Sequence, residues 1–452
     1  MSDLNDRVCI IGGGPAGLAA GMYLEQKGYR NYAILEKSDH VGGKCNSPAY
    51  NGRRYEMGAI MGVPSYYAIA DIERFCGVTH DGPKLNRNFK DLKGNVVDPF
   101  DAHGDPKLEA MLAEGKRQIE AFGTILSTKY LGYDVNGHRG VAEGRFDGYA
   151  VTPGRERVSG TNPNLKDLAL PFAEFCKING VPLVQQAWIG PFTSFGYGYF
   201  DEIPAAYVLK YLDFQTCMNF LKVNLWTWKD GTQHIFEELN DKLLHSARLN
   251  SDISKIERRD GKVFVTVNGT VEEYDKIIVT SPLQYLPDYF DATEDERELF
   301  GKISYKAYDV LAVETAPEDH PEISYYVLEN MVPQRLGHLM VYYNRWRDDV
   351  NHPITTYAIR NHKDMADIPY NQCKEMVLED LKSLGNPASK VINEQSWYYF
   401  PHVDSETYAS GWYDKVEAMQ GQKGTYYAGE VMSFGDMDET CEYSRELIDR
   451  FF

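Results

Sequence analysis

A run of four apolar residues, Val8 to Ile11, meets three glycines and then Pro15, Ala16 and Gly17. Apolar residues in an unbroken short run ending at glycine predict a parallel strand buried on both faces. Leu18 and Met22 follow at helical spacing and predict a helix over 14–26, with Gly28 where a helix C-terminal glycine belongs. Tyr32 to Leu35 predicts a second strand, ending in Glu36. Farther on, Val263, Val265 and Val267 alternate, and Asn268–Gly269 is a type I′ turn signal. That pattern predicts a hairpin followed by a buried return strand over 276–280. Thr425 to Ala428 predicts another strand, with a helix from about Met437. Between these blocks the pattern predicts a helix over 105–126 and helical structure over 165–222, with the aromatic stretch WIGPFTSFGYGYF at 188–200. Strands are expected at Ser324 to Val327 and His338 to Tyr343, and one helical face carries Val377, Leu381 and Leu384, closed by Gly385. Residues 84–100 carry a basic patch, KLNRNFKDLK, and 135–165 are rich in glycine, arginine and polar residues, as expected of a long loop or partly disordered insert.

Charge and composition narrow the class. The formal net charge of −19 disfavours nucleic acid and anionic lipid as partners. An anionic substrate therefore needs a local cation. The 452 residues suit two or three domains. No window is apolar and long enough for a membrane-spanning helix, and the polar MSDLNDR start argues against a conventional signal peptide. Seven scattered cysteines with no Cys-x-x-Cys pair argue against a disulfide framework or a zinc site and fit a reducing cytoplasm.

Gly12, Gly14 and Gly17 complete G-x-G-x-x-G in a strand–turn–helix context. Gly12 permits the tight turn, Gly14 lets a pyrophosphate approach the backbone, and Gly17 lets the helix pack on the strand. The helix N-terminus favours phosphate charge. Glu36, about twenty residues on, is placed to accept ribose hydroxyls and disfavours the 2′-phosphate of NADP. These features leave NAD and FAD open.

The next stretch, EKSDHVGGKCNSPAYNGRRYEMGAIMG, and the late stretch GTYYAGEVMSFGDMDETCEYSRELIDRF resemble the flavin amine-oxidase-like superfamily. The resemblance implies an α/β fold: a Rossmann-type FAD-binding domain with a substrate-binding α+β domain and a mainly helical cap. It implies FAD contacts at Gly12, Gly14, Pro15, Ala16, Gly17, Glu36, Lys37, Gly43, Lys44, Gly58, Ala59 and Ile60. It adds Ile253 beside the adenine, Trp397 beside the isoalloxazine, and Gly429 and Glu430 near the pyrophosphate and ribityl chain. The expected division is 1–85, 224–285 and 416–452 for FAD, 86–103 and 286–415 for substrate, and 104–223 for the cap, with a polar insert near 138–163.

Further pieces, among them DGPKLNRNF, PFTSFGYGYF, PAAYVLKYLDF, LWTWKDGTQ and WYYFPHVDSE, resemble the flavin-dependent polyunsaturated fatty acid double-bond isomerases, which form conjugated linoleic acid. That likeness implies hydride abstraction to flavin N5 and return at another carbon, with no net redox and no catalytic acid or base from the protein. It implies a pocket with Phe195, Phe220 and Tyr197, and Arg87 holding the fatty carboxylate, with Lys84 and Lys90 as alternates. The partner implied is a free polyunsaturated fatty acid, with no integral membrane span and at most transient contact with a membrane surface; the sequence carries no signal for an oligomeric state. The insert near 138–163 departs from the family pattern. No metal set is apparent, and His138, His234, His338 and His402 read as structural. Two rivals stay open: an oxidase or desaturase of the same superfamily, and a non-catalytic FAD-containing fatty-acid-binding protein.

Overall fold

Four short strands with almost no exposed surface lie parallel in the order Thr425–Tyr427, Lys276–Val279, Val8–Ile11, Tyr32–Leu35. The computed structural model describes residues 3–130, 165–315, 324–346, 349 and 351–452. The insert at 138–163 and His138 lie outside the described residues. Registers pair Ile11 with both Val279 and Leu35, and Val279 with Tyr427. All four strands thus end at one edge, where ligands of open α/β sheets bind. The helix Pro15–Gln26 starts there, capped by Gly14, and packs against the helix Met437–Phe451.

Gly12 explains the turn. Its φ is +107°, and a Cβ there would lie 2.7 Å from Thr280 Oγ1, which donates to Ile11 O at 2.6 Å. At Gly17 a Cβ would fall 1.9 Å from Gly12 O, so only glycine lets helix and strand approach this closely.

The expected hairpin is a three-stranded antiparallel sheet, Ile253–Arg259, Lys262–Val267 and Thr270–Tyr274, turning at Asn268–Gly269 with both φ positive. The second large layer is a seven-stranded sheet in the order Ala388–His402, Ser304–Thr315, Ile354–Ile359, Val341–Tyr343, Ser324–Tyr326, Arg87–Lys90, Val96–Val97. The basic patch is therefore a strand: Arg87–Lys90 runs parallel to Ser324–Tyr326. The two long strands at 304–315 and 388–402 were not resolved by periodicity, and the strand expected from His338 starts at Val341.

The middle strands of this sheet are buried on both faces. One face meets the helix Tyr370–Ser383 through the expected stripe of Val377, Leu381 and Leu384, packed on Leu311, Tyr325 and Tyr342. The other face turns Tyr308, Tyr343, Tyr357 and Tyr399 into the main core. Helices spanning Pro106–Thr128 and several shorter ones up to Phe214–Leu221 lie over it. Phe122, the one buried residue of the long helix, packs on Phe172, Phe175 and Trp188.

Candidate active site

The shared edge of the parallel sheet opens into a groove of about 660 Å³. Three distant stretches wall it. The first supplies Gly12, Gly14, Pro15, Ala16, Glu36, Lys37, Gly43 and Lys44. Ile253 comes from the middle of the chain, and Trp397, Gly429 and Glu430 from the last part. A Cβ added at Gly14 would meet protein no closer than 3.8 Å, so the backbone there fronts the groove itself. Gly17 sits beneath the turn and lines no groove.

Glu36 orders the loop. Its Oε2 accepts from Gly13 N at 2.6 Å and its Oε1 from Ser38 N at 2.7 Å. A carboxylate has about four lone-pair sites, so acceptor capacity remains. Trp397 is half-buried and donates from Nε1 to Met57 O at 2.7 Å. That bond ties the long strand to the loop preceding Gly58, Ala59 and Ile60. Thr232 Oγ1 donates to Ala59 O at 2.9 Å and fixes the same loop from behind.

Past Lys44, Pro15, Glu430 and Thr440, which border both spaces, the groove continues into an aromatic chamber. Phe195 and Tyr197 line it, together with Gly58, Ala59 and Ile60, which were expected against FAD and border this chamber rather than the groove. Tyr66, Tyr211, Tyr308, Tyr399 and Asp436 also line it and were not anticipated. One signal for them was present: Gln395, Trp397 and Tyr399 share one face of a strand at period two, and the first two line the groove and the third the chamber. Tyr399 and Tyr308 come together because the strands 388–402 and 304–315 pair; their ring centroids are 5.0 Å apart. Tyr308 donates to Ser194 O at 2.8 Å, tying the sheet to the helical region.

Phe220 stands behind the wall, 5.8 Å from the ring of Phe195 and 5.9 Å from that of Tyr211. Arg87 lines neither space. Its Nη2 donates to Leu221 O at 3.1 Å, and its guanidinium packs over Phe89 and Tyr326, on the sheet face turned to the main core. Lys90 lies over Tyr325 and Tyr342 on the opposite face, and Lys84 is exposed.

Charge inside the chamber is sparse. Lys44 Nζ meets Glu430 Oε2 at 2.6 Å. Burial drives the phenols of Tyr66, Tyr197, Tyr211, Tyr308 and Tyr399 above the ordinary tyrosine value, and the carboxylate of Asp436 adds to this for all but Tyr308. They stay protonated. Burial, then the charge of Lys306, lowers His402 to about 4. Its Nδ1 lies 2.8 Å from Phe400 O, so the neutral ring donates there rather than serving the chamber. Among the described residues no cluster of side chains suits a metal ion, and no helix is long and apolar enough to cross a membrane.

Known proteins share this fold. Residues 15–439 match the family of flavin containing amine oxidoreductases, and the chain belongs to that family. Among solved structures, a CLA-producing fatty acid isomerase from P. acnes is 50% identical over the full length of both chains, with a TM-score of 0.91. A carotenoid 3,4-desaturase of Haloarcula japonica is 25% identical over 66% of this chain and 61% of its own length. A polyenoic fatty acid isomerase of Ptilota filicina is 22% identical over 57% of this chain and 51% of its own. The chain thus spans about half to three-fifths of these two curated relatives.

Proposed function

We propose that the protein is an FAD-dependent isomerase that moves a double bond of a free polyunsaturated fatty acid, converting linoleic acid to a conjugated isomer. The observation that carries this reading is the full-length likeness, at 50% identity, to the P. acnes fatty acid isomerase. The site supports it. The groove has the glycine backbone and the acidic loop that a dinucleotide requires. Gly12, Gly14 and Gly429 would face the pyrophosphate, Glu36 the ribose, Ile253 the adenine, and Trp397 and Lys44 the flavin end.

When bound, FAD supplies a two-electron acceptor that can take a hydride and return it, so a full cycle leaves no net redox change. The chain's own residues bind, orient and exclude water. Aromatic faces of Phe195, Tyr197, Tyr308 and Tyr399 pack against an apolar chain and favour positive charge on it. The phenols of Tyr197, Tyr308 and Tyr399 keep their protons, so they offer no base. Phe195, Phe220 and the Leu221 carbonyl form a continuous line from the chamber to Arg87. This supports Arg87 as carboxylate anchor over Lys90, which faces the other core.

Buried, unbridged cysteines suit the reducing compartment proposed for this chain. The desaturase relatives favour a second reading, in which electrons leave for an acceptor. The test mixes anaerobic, flavin-loaded protein with linoleic acid and no electron acceptor. Conjugated-diene absorbance growing over many turnovers, with oxidised flavin at the end, is the expected result. A single bleaching that stalls until an acceptor enters would establish the desaturase reading instead. Binding without chemical change would make it a fatty-acid-binding protein.

A further inference from the structure

Ile60 borders two spaces. It lines the aromatic chamber, and it also lines a second cavity of about 10 Å³, room for one water molecule. Among the described residues it alone is common to both walls. Its backbone is pinned before and after. Ala59 N donates to Lys44 O at 3.1 Å, and Ala59 O accepts from Thr232 Oγ1 at 2.9 Å. Gly62 exchanges both backbone bonds with Trp226, at 2.9 and 3.0 Å. A β-branched side chain on so fixed a backbone has few rotamers open to it. Arg345, 7% exposed, lines the second cavity. Its Nη2 donates to Trp228 O and its Nη1 lies 3.1 Å from Glu56 Oε1. Its Nε is buried too, and has no hydrogen-bond partner among the described residues. Buried N–H groups of this kind are satisfied by protein or by ordered water. Glu56, Thr227 and Thr355 line the same cavity and can complete the bonds of a water held there.

We propose that a water molecule bound to Arg345 Nε occupies this cavity, and that Ile60 is the barrier between it and the reacting chain. This rests on the isomerase reading above. Hydride departure takes two electrons from the reacting methylene, and the remaining pentadienyl carbons carry a positive charge until a hydride is returned. Water is a nucleophile for such a cation. Its attack forms a carbon–oxygen bond in place of the carbon–hydrogen bond that was broken, releases one proton and leaves the flavin reduced by two electrons. The product is then a hydroxylated fatty acid, and the cycle no longer closes. Exclusion of water therefore decides between isomer and alcohol. At this wall it depends on a single side chain.

The experiment has two parts. A crystal structure of the flavin-loaded protein, without substrate, should show an ordered water within hydrogen-bonding distance of Arg345 Nε. Linoleic acid is then given to the anaerobic, flavin-loaded protein in water enriched in heavy oxygen, with no electron acceptor. Mass spectrometry reads the products beside the flavin absorbance. The wild type should return isomer with no added oxygen, and its flavin should end oxidised. Ile60→Ala should yield hydroxylated acid carrying the heavy oxygen, one flavin being reduced for each alcohol formed, and isomerisation should stop as the flavin bleaches. Ile60→Val, shorter by one carbon, should leak less than I60A. Ile60→Leu, which conserves volume, should behave as the wild type. I60A that gives only isomer, with oxidised flavin, overturns the proposal. Alcohol from I60L as abundant as from I60A also overturns it, because the water then enters elsewhere. No water on Arg345 Nε overturns it even if I60A fails to fold. Absence of linoleic acid turnover in the wild type would sink the isomerase reading separately, because the water is located without substrate.

Discussion

Replacing Glu296 by Gln probes the join between the three-stranded sheet and the parallel sheet. Arg258, from the strand Ile253–Arg259, meets Glu296 in a fork, Nη1–Oε1 at 2.6 Å and Nη2–Oε2 at 2.8 Å, with both side chains almost fully buried. Asp291 holds the same guanidinium through Nε at 2.7 Å, and Tyr427 of the last parallel strand donates to Glu296. Burial opposes ionisation of Glu296, but the bonds from Arg258, Tyr427 and the Thr293 amide overcome it and lower its pKa from 4.5 to about 2. A carboxylate lowered in this way stabilises the fold above pH 4.5, and the contribution is lost as pH falls toward 2. At about 1.4 kcal/mol per pH unit, the contribution is about 3 kcal/mol, of which about 2 is gone by pH 3. E296Q should therefore be destabilised by about 3 kcal/mol at pH 7, at the low end of what breaking a buried pair costs. Thermal unfolding of both proteins at pH 7, 5 and 3 measures it. The gap in Tm should be widest at pH 7 and shrink to a minor fraction by pH 3. A gap that ignores pH, or none at pH 7, refutes the reasoning.

Arg87→Ala should weaken fatty-acid binding at least about tenfold, the loss expected for a charge-assisted pair, with flavin content unchanged by absorbance; loss of flavin would reassign Arg87 to the fold. Phe195→Ala removes a chamber wall and should alter the ratio of conjugated products seen by gas chromatography, with Tm lowered by the equivalent of about 3–5 kcal/mol. His402, lowered from 6.5 to about 4 by burial and then Lys306, stays neutral in the folded chain, whereas the unfolded chain takes up a proton first. Stability should fall by about 3 kcal/mol as pH drops from 6.5 to 4. His402→Phe should remove most of that acid lability, and an equal loss in both proteins between pH 7 and 5 would refute the assignment.

What was legible depended on how locally it is encoded. The turn at Gly12–Gly17 is dictated by neighbours a few residues apart, and strand, helix and Glu36 all stand where the pattern puts them. The hairpin at Asn268–Gly269 is equally local. The strands at 304–315 and 388–402 are different. The first is buried on both faces and the second is largely polar until Trp397, so neither alternates cleanly. Arg87 reads as part of a solvated patch because its strand is defined by pairing with Ser324, far away in sequence. Asp436 was hidden for a related reason: an acid before a helix reads as a cap, which it is, and only the packing of Tyr66, Tyr197 and Tyr211 turns that cap toward a chamber.

The order of the parallel sheet has a consequence for how the molecule is made. Of the four strands of this sheet Val8–Ile11 is made first, yet one of its neighbours, Lys276–Val279, and the outer strand Thr425–Tyr427 arrive far later. Until Glu430 has been synthesised, the groove lacks one wall and Lys44 lacks its ion-pair partner. A nucleotide in this groove would thus be loaded only after Glu430 has been made. Growing chains present an exposed glycine loop and unpaired strand edges to chaperones rather than to cofactor. Pairing partners so distant in sequence also make assembly slow. Yield of active protein in a heterologous host will therefore respond to growth temperature and translation rate as much as to flavin supply.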